Sequence, residues 1–368
     1  MNVFGKFLVF ILAAGSVACS SEGPTHTASP NTTTPAPAPA QLDFSAVDAA
    51  VSSAALDDIA LIIGDEMGVL HVFEKGDRRI DDVLPVASAS KLVTGLTLWI
   101  LIEAGDLDLS DNPQRYLPYW TADEPQSRSA VTLSQLLGFT SGFNNSPAQP
   151  GCIGDGSLLL FDCVRTIYDG GIDTAPGSGF YYGPEHQQIA ASMAAEATSR
   201  DFRDLVRTRL FDVLGVSGLS GWPPNSVDNP RFSGSLRTSA DDYGKVLQGL
   251  LSGSIIRELD RFLSDRTDGA ALVSQPDVIV ENNLDWRYGS GFWIECDAPT
   301  FSAACASNPT ISSPGATGFT PWIDFEIGYW AIIAINEQRA AAFRPSVFSV
   351  SLEQSLQPLI QEALANSQ

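Results

Sequence analysis

The stretch Leu84–Asp111, LPVASASKLVTGLTLWILIEAGDLDLSD, decides how the rest of the chain reads. Its first residues are small. From Leu92 onward apolar side chains return at intervals of three and four, at Leu92, Leu96, Trp99 and Ile100, the spacing of a well-buried helix. Ser88 and Lys91 stand three apart where that helix begins, which puts both on one face with Cβ atoms ~5–6 Å apart. An ammonium there stabilises a developing alkoxide. A neutral amine takes the hydroxyl proton instead, and burial lowers a lysine pKa far enough for that. The helix N-terminus adds a field that favours negative charge on Ser88 Oγ. Ser90 is one step from Lys91 and points away from that face, so Ser88 is the expected nucleophile. Taken alone, S-x-x-K also describes a capped helix with a surface lysine, and the remainder of the chain has to choose between the two.

The chain has 368 residues, of which 44% are hydrophobic and 17% charged, a globular composition long enough for one large domain or two lobes. Its formal charge of -22 gives a surface that repels phosphate backbones, so no nucleic-acid partner is expected. Lys6 precedes the run FLVFILAAGSVAC, which reads as a secretory signal peptide over residues 1–18 and is too short to span a bilayer. Cys19 follows Ala18 where a bacterial lipoprotein signal is cut and acylated, although Ser16 stands where Leu or Val is usual. Simple cleavage after SVA is the alternative. A lipid on Cys19 would anchor the chain to a membrane without spanning it. Residues 19–41, rich in Thr, Pro and Ala, read as an extended tether, with the folded domain expected over 42–368. The expected location is the bacterial cell envelope, periplasmic or lipid-anchored, or outside the cell.

The other four cysteines form two close pairs in a secreted chain. Disulfides Cys152–Cys163 and Cys296–Cys305 are expected, out of three connectivities; zinc is disfavoured because C-x-x-C spacing and neighbouring histidines are absent. FSAVDAAVSSAAL has helical spacing, with Phe44, Val47, Val51 and Leu56 as its stripe. A hairpin follows, Ile59–Ile63 and Val69–Phe73. The middle, to about Asn282, is helical and loop-rich. YGSGFWIEC, GFTPWIDF and GYWAIIAIN read as successive antiparallel strands, and a last amphipathic helix runs through Leu352, Leu356, Leu359, Ile360 and Leu364. The predicted architecture is α+β: an antiparallel sheet from both chain ends, flanked by the terminal helices, with an inserted, mainly helical lobe and a cleft at the lobe boundary.

ASASKLVTGLTLWILIEAGDLDLSD, RYLPYW, VTLSQLLGFTSGF, RTSADDYGKVLQGLL and YGSGFWIE together resemble the class C-like branch of the serine β-lactamase and penicillin-binding-protein superfamily, the β-lactamase-related serine hydrolases and esterases. The resemblance covers about Asp43 to Ala365. It implies the β-lactamase/transpeptidase-like fold and an acyl-enzyme mechanism on Ser88 and Lys91, with no cofactor and no metal. The second family motif, Y-x-N, aligns with PGSGFYYGP and implies that Tyr182 shares the proton work with Lys91; Tyr181 is the neighbour if the register slips by one. Pro184 replaces the motif's Asn, and His186 is close enough to compensate at the substrate. The third motif, K-T-G or H-T-G on an edge strand, aligns with SSPGATGFTPWID. Ser313, Pro314 and Gly315 fill its places, Ser313 and Gly315 facing substrate, and the cation is missing. The implied oxyanion donors are the N–H groups of Ser88 and Ala316. Gly315 and Gly318 would let backbone come close to substrate.

A Ser-His-Asp enzyme is the rival. Of the three histidines, His26 lies in the tether and His71 in a predicted strand, and no G-x-S-x-G occurs. Motifs for zinc proteases, nucleotides and dinucleotides are absent as well. The expected function is therefore a secreted or lipid-anchored serine hydrolase of a small-molecule ester, amide or peptide, with carboxylic esters favoured. A D-alanyl-D-alanine carboxypeptidase or β-lactamase is the alternative, against which the missing cation and amide count. A non-catalytic peptidoglycan- or β-lactam-binding module is a third reading, prompted by two altered motifs and opposed by the retention of Ser88, Lys91 and Tyr182.

Overall fold

Two runs, IALIIG and YWAIIA, are apolar almost throughout, the pattern of strands covered on both faces. They are Ile59–Gly64 (β1) and Tyr329–Ala334 (β7), every residue of both is buried, and they pair antiparallel with Ile62 opposite Ile332. This pairing joins the two ends of the domain. The computed structural model describes residues 42–123, 128–143, 151–223, 229–340 and 342–366. The expected signal peptide, Cys19 and the tether lie outside the described residues.

The sheet has seven strands. Val69–Lys75 (β2) forms the hairpin with β1, and Arg287–Tyr288 (β3), Trp293–Ile294 (β4), Thr310–Ser312 (β5) and Thr320–Asp324 (β6) complete the order β2-β1-β7-β6-β5-β4-β3, all antiparallel. Side chains alternate across it. Leu61, Ile63, Ile333 and Ile335 pack with Val47 and Val51 of Ser45–Ser53 (α1) and with Leu356 and Ile360 of the closing helix, which starts at Pro345. Ala60, Ile62, Ile332 and Ala334 face the other way, into the cluster built on Leu92, Leu96 and Trp99. Leu56, placed in the first helical stripe by its spacing, lies beyond the helix end at Ser53 and packs half-buried on the same cluster.

Ser90–Ala104 (α2) is buried on nearly every side, because the sheet and the helical part of the chain both close on it. Glycine at position 95 allows this. A Cβ there would stand 1.8 Å from the Ser290 carbonyl oxygen in the β3–β4 turn. The α+β arrangement expected from the sequence is therefore present. Both expected disulfides are formed, Cys152–Cys163 and Cys296–Cys305, with Cα separations of 5.3 and 5.1 Å.

One strand of the seven-stranded sheet escaped the sequence reading, and YGSGFWIEC, read as a single strand, contributes to two, β3 and β4, joined by a turn. The missed strand, Thr310–Ser312, is three residues long, too short to show a period, and lies between β4 and β6. Ser313–Gly315 follows an inner strand, not the edge strand implied by the resemblance, since Ser312 is paired with both Trp293 and Trp322.

In an open helix Gly→Ala gains up to ~1 kcal/mol. At Gly95 the sign reverses, because the methyl meets backbone. Gly95→Ala should lose ~1–3 kcal/mol of unfolding free energy, read from a urea titration. An unchanged or higher midpoint would show that the β3–β4 turn yields without cost.

Candidate active site

Ser88 sits in a single 3-10 turn, Ala87–Ala89, that leads into α2. Ala87 has φ +45°, a left-handed conformation that costs a non-glycine residue of the order of 1 kcal/mol or more and persists only where neighbours enforce it. The neighbours are identifiable carbonyl by carbonyl. Pro85 O accepts from Thr317 Oγ1 at 3.1 Å, and Val86 O from the Ala89 N–H at 3.0 Å. Ala87 O accepts from Ser90 Oγ at 2.6 Å, Ser88 O from Ser313 Oγ at 3.2 Å, and Ala89 O from the Tyr243 hydroxyl at 2.8 Å. Ser90 thus spends its hydroxyl on the backbone of the turn, and accepts from the Leu236 N–H at 3.1 Å. Ser88 keeps its own hydroxyl for the cleft.

Lys91 is 5% exposed, and its Nζ lies 3.0 Å from Ser88 Oγ and 2.8 Å from Ser233 O. Burial is the main reason its pKa falls to about 7; repulsion from Arg231 adds to the fall and Glu185 opposes it. Gln187, on the helix Glu185–Thr198 (α3), donates to Lys91 O at 2.9 Å and fixes the lysine's backbone. Tyr182 follows a short strand, Gly179–Tyr181, and its ring lies 4.6 Å from Lys91 Nζ and stacks on Trp293. Its hydroxyl is hydrogen bonded to Ser88; burial raises its pKa well above the usual phenol value and that hydrogen bond pulls the other way. The structure therefore brings Ser88, Lys91 and Tyr182 together, whereas the Tyr181 ring lies beside Gly179.

Ser88 and Ala316 both line one cleft of about 220 Å³, and no carbonyl among the described residues accepts the N–H of either. Two N–H groups left open at one cleft are the kind of donors that hold a carbonyl oxygen as it becomes negative. Among the described residues no three His, Cys, Asp or Glu side chains come together as a metal-ligand set.

Three residues expected at the substrate sit differently. Ser313 is buried and turns its hydroxyl to the backbone of Ser88 and Gly291, because it packs behind the nucleophile turn. Gly315 gives close approach to Val86 O rather than to a ligand: a Cβ would stand 2.2 Å from that oxygen, and its N–H donates to Phe319 O at 2.8 Å. His186 does not reach the cleft. It is fully buried against Phe139, donates from Nε2 to Tyr181 O at 2.9 Å and accepts at Nδ1 from Ser141 Oγ at 2.8 Å. Burial, partly offset by the Tyr181 bond, lowers its pKa to about 3, so it is neutral. Its role is to hold the segment that delivers Tyr182.

Four residues were missed. Glu185, buried beside Lys91 and Arg231, has its pKa pushed up to about 7 by burial, against the pull of its own N–H and of the two cations. Arg339 and Arg344 line the Ser88 cleft together with Asp277. The only sequence signal for the arginines is their spacing in NEQRAAAFRPS, just before the last helix, in a chain with 21 basic residues.

The chain belongs to the family described as Beta-lactamase, which matches residues 60–351. It is 28% identical over 228 residues to Penicillin-binding protein 4 of Amycolatopsis lactamdurans, covering 56% of this chain and 58% of that protein. It is 25% identical over 209 residues to lovastatin esterase of Penicillium rubens, covering 50% and 49%. The matches thus span about half the length of these curated relatives. A crystal structure of a candidate beta-lactamase from Bacteroides dorei superposes with TM-score 0.73 at 26% identity, covering 87% of this chain and 99% of that one.

The geometry predicts how Ser88 reacts. Labelling by a fluorophosphonate should speed up with pH as Lys91 loses its proton, with a midpoint near about 7. Lys91→Arg keeps the charge and cannot deprotonate usefully, so labelling should slow at least ~100-fold. A folded Lys91→Arg protein labelled at the wild-type rate would remove Lys91 from the proton transfer.

Proposed function

We propose that this protein is a serine hydrolase that cleaves a carboxylic ester or amide, esters preferred, through an acyl-enzyme on Ser88. The observation that carries the reading is a lysine stripped of water and held 3.0 Å from a serine hydroxyl. Neutral Lys91 takes the Ser88 proton as Oγ forms a bond to the substrate carbonyl carbon. The N–H groups of Ser88 and Ala316 hold the oxyanion. The proton returns through Tyr182 to the leaving alkoxide or amine as the scissile bond breaks. Water then attacks the acyl ester, neutral Lys91 taking its proton directly or by relay through the Tyr182 hydroxyl, and that proton passes to Ser88 Oγ as the acyl–oxygen bond breaks and the acid is released.

Charge argues for neutral acyl substrates. The third motif supplies no cation, and the two arginines of the cleft already carry acidic partners: Arg339 pairs with Asp277, and Arg344 with Asp277 and Glu281. The likeness to lovastatin esterase supports the same choice. The likeness to Penicillin-binding protein 4 keeps a D-alanyl-D-alanine carboxypeptidase or β-lactamase as the second reading. The open hydroxyl of Ser88 and the lysine behind it weigh against a non-catalytic module. The cell envelope or exterior is the proposed location, supported by the leader-like residues 1–18 and by two disulfides, which persist in oxidising compartments.

Turnover of a short-chain 4-nitrophenyl ester, a chromogenic cephalosporin and a D-Ala-D-Ala peptide separates these readings. The ester should have the highest kcat/KM, and Ser88→Ala should lose at least ~1,000-fold on it. Fast lactam turnover without esterase activity would reverse the preference.

A further inference from the structure

The cleft lined by Ser88, Tyr182 and Ala316 is also lined by Asp277, Arg339 and Arg344. Asp277 begins the short helix Asp277–Glu281, and both arginines precede the closing helix, so the charges meet from two separate segments. One carboxylate oxygen serves both cations. Asp277 Oδ2 is 2.5 Å from Arg339 Nη2 and 3.2 Å from Arg344 Nε, and Arg344 reaches Glu281 Oε1 at 2.5 Å. Of these four only Asp277, Arg339 and Arg344 line the cleft; Glu281 pairs with Arg344 from outside the lining, so Asp277 is the one anion set against the two cations within it.

This pairing is not needed to hold the fold. The four side chains are 30–61% exposed, and ion pairs at that exposure contribute ~0–1 kcal/mol to stability. What it does change is the charge met by an incoming acyl group. Without Asp277, Arg339 would have no ionic partner among the described residues and would point its planar donor fork into the cleft, where a carboxylate is its natural ligand. With Asp277 in place Arg339 Nη2 is engaged and an acidic oxygen stands beside the guanidinium. The rest of the chain, at formal charge -22, adds repulsion.

We propose that Asp277 is a specificity-determining residue: by occupying Arg339 and Arg344 at the mouth of the Ser88 cleft, it turns away substrates whose acyl part carries a carboxylate. This rests on the acyl-enzyme reading above. It makes preference for neutral esters a property of one side chain, with the anion-binding donors already built behind it.

The test compares two rigid esters on the full chain, 4-nitrophenyl benzoate and the same ester with a para-carboxylate, as the ratio of their kcat/KM values, anionic over neutral. In the wild type the ratio should be well below one. Asp277→Asn should raise it about tenfold, mainly through KM of the anionic ester, and ~0.5 M salt should shrink the gain. Adding Arg339→Gln to Asp277→Asn should bring the ratio back down. Arg339→Gln alone should push it below the wild-type value, an arm that stands even if Asp277→Asn does not fold. A ratio that moves less than twofold in either single variant overturns the proposal while leaving the acyl-enzyme reading intact. A wild type that hydrolyses neither ester and takes no fluorophosphonate at Ser88 overturns both.

Discussion

The burial of Lys91 against Ser88 is the constraint on which the rest depends. A fall in pKa from 10.5 to about 7 means that the site disfavours the ammonium by about 5 kcal/mol relative to water. That is comparable with the whole stability of a domain, so it has to be imposed by structure that cannot relax. The surroundings fit that demand. α2 is buried on nearly all sides, Gly95 lets the β3–β4 turn lie directly on it, and the Lys91 carbonyl is held by Gln187. Glu185 pulls the other way. As a nearby carboxyl that is itself driven toward neutrality, it tempers the lysine without forming a full buried ion pair.

The same logic explains why the serine sits where it does. A left-handed alanine before the nucleophile tilts Ser88 out of the helix and into the cleft, and hydrogen bonds to Pro85, Val86, Ala87, Ser88 and Ala89 keep it so. Two of those bonds come from Ser313 and Thr317, the loop that also carries Ala316. The loop that carries the Ala316 N–H is thereby fastened to the turn that carries the Ser88 N–H. Relative placement of the two donors is set by a few side-chain hydrogen bonds rather than by distant parts of the sheet, which is what preorganised stabilisation of a developing charge requires.

Much of this was legible in the sequence, for physical reasons. Continuous apolar runs gave the paired central strands, three-four spacing gave α2, and cysteine proximity gave both bridges. Ser88 and Lys91 stood out by their three-residue spacing at a helix start, and Tyr182 by the resemblance of PGSGFYYGP to a family motif; the three side chains lie together in the structure. What escaped depends on tertiary context. Thr310–Ser312 is too short to have a period, and only pairing on both sides makes it a strand. His186 and Ser313 looked like substrate contacts by position, but which way a hydroxyl or imidazole faces is decided by the neighbour it finds, here Tyr181 O and Ser88 O. The Arg339–Asp277–Arg344 cluster joins segments more than sixty residues apart, and nothing in either segment announces the other.

The central claim is that Lys91 titrates near neutral pH, so that a large share of it is neutral amine at pH 7. A carbon-13 NMR titration of the lysine ε-methylene resonances, with Lys91 assigned by Lys91→Arg, measures this directly. The account predicts a midpoint for Lys91 of about 7. A Lys91 resonance that titrates near 10.5, the ordinary lysine value, would contradict it.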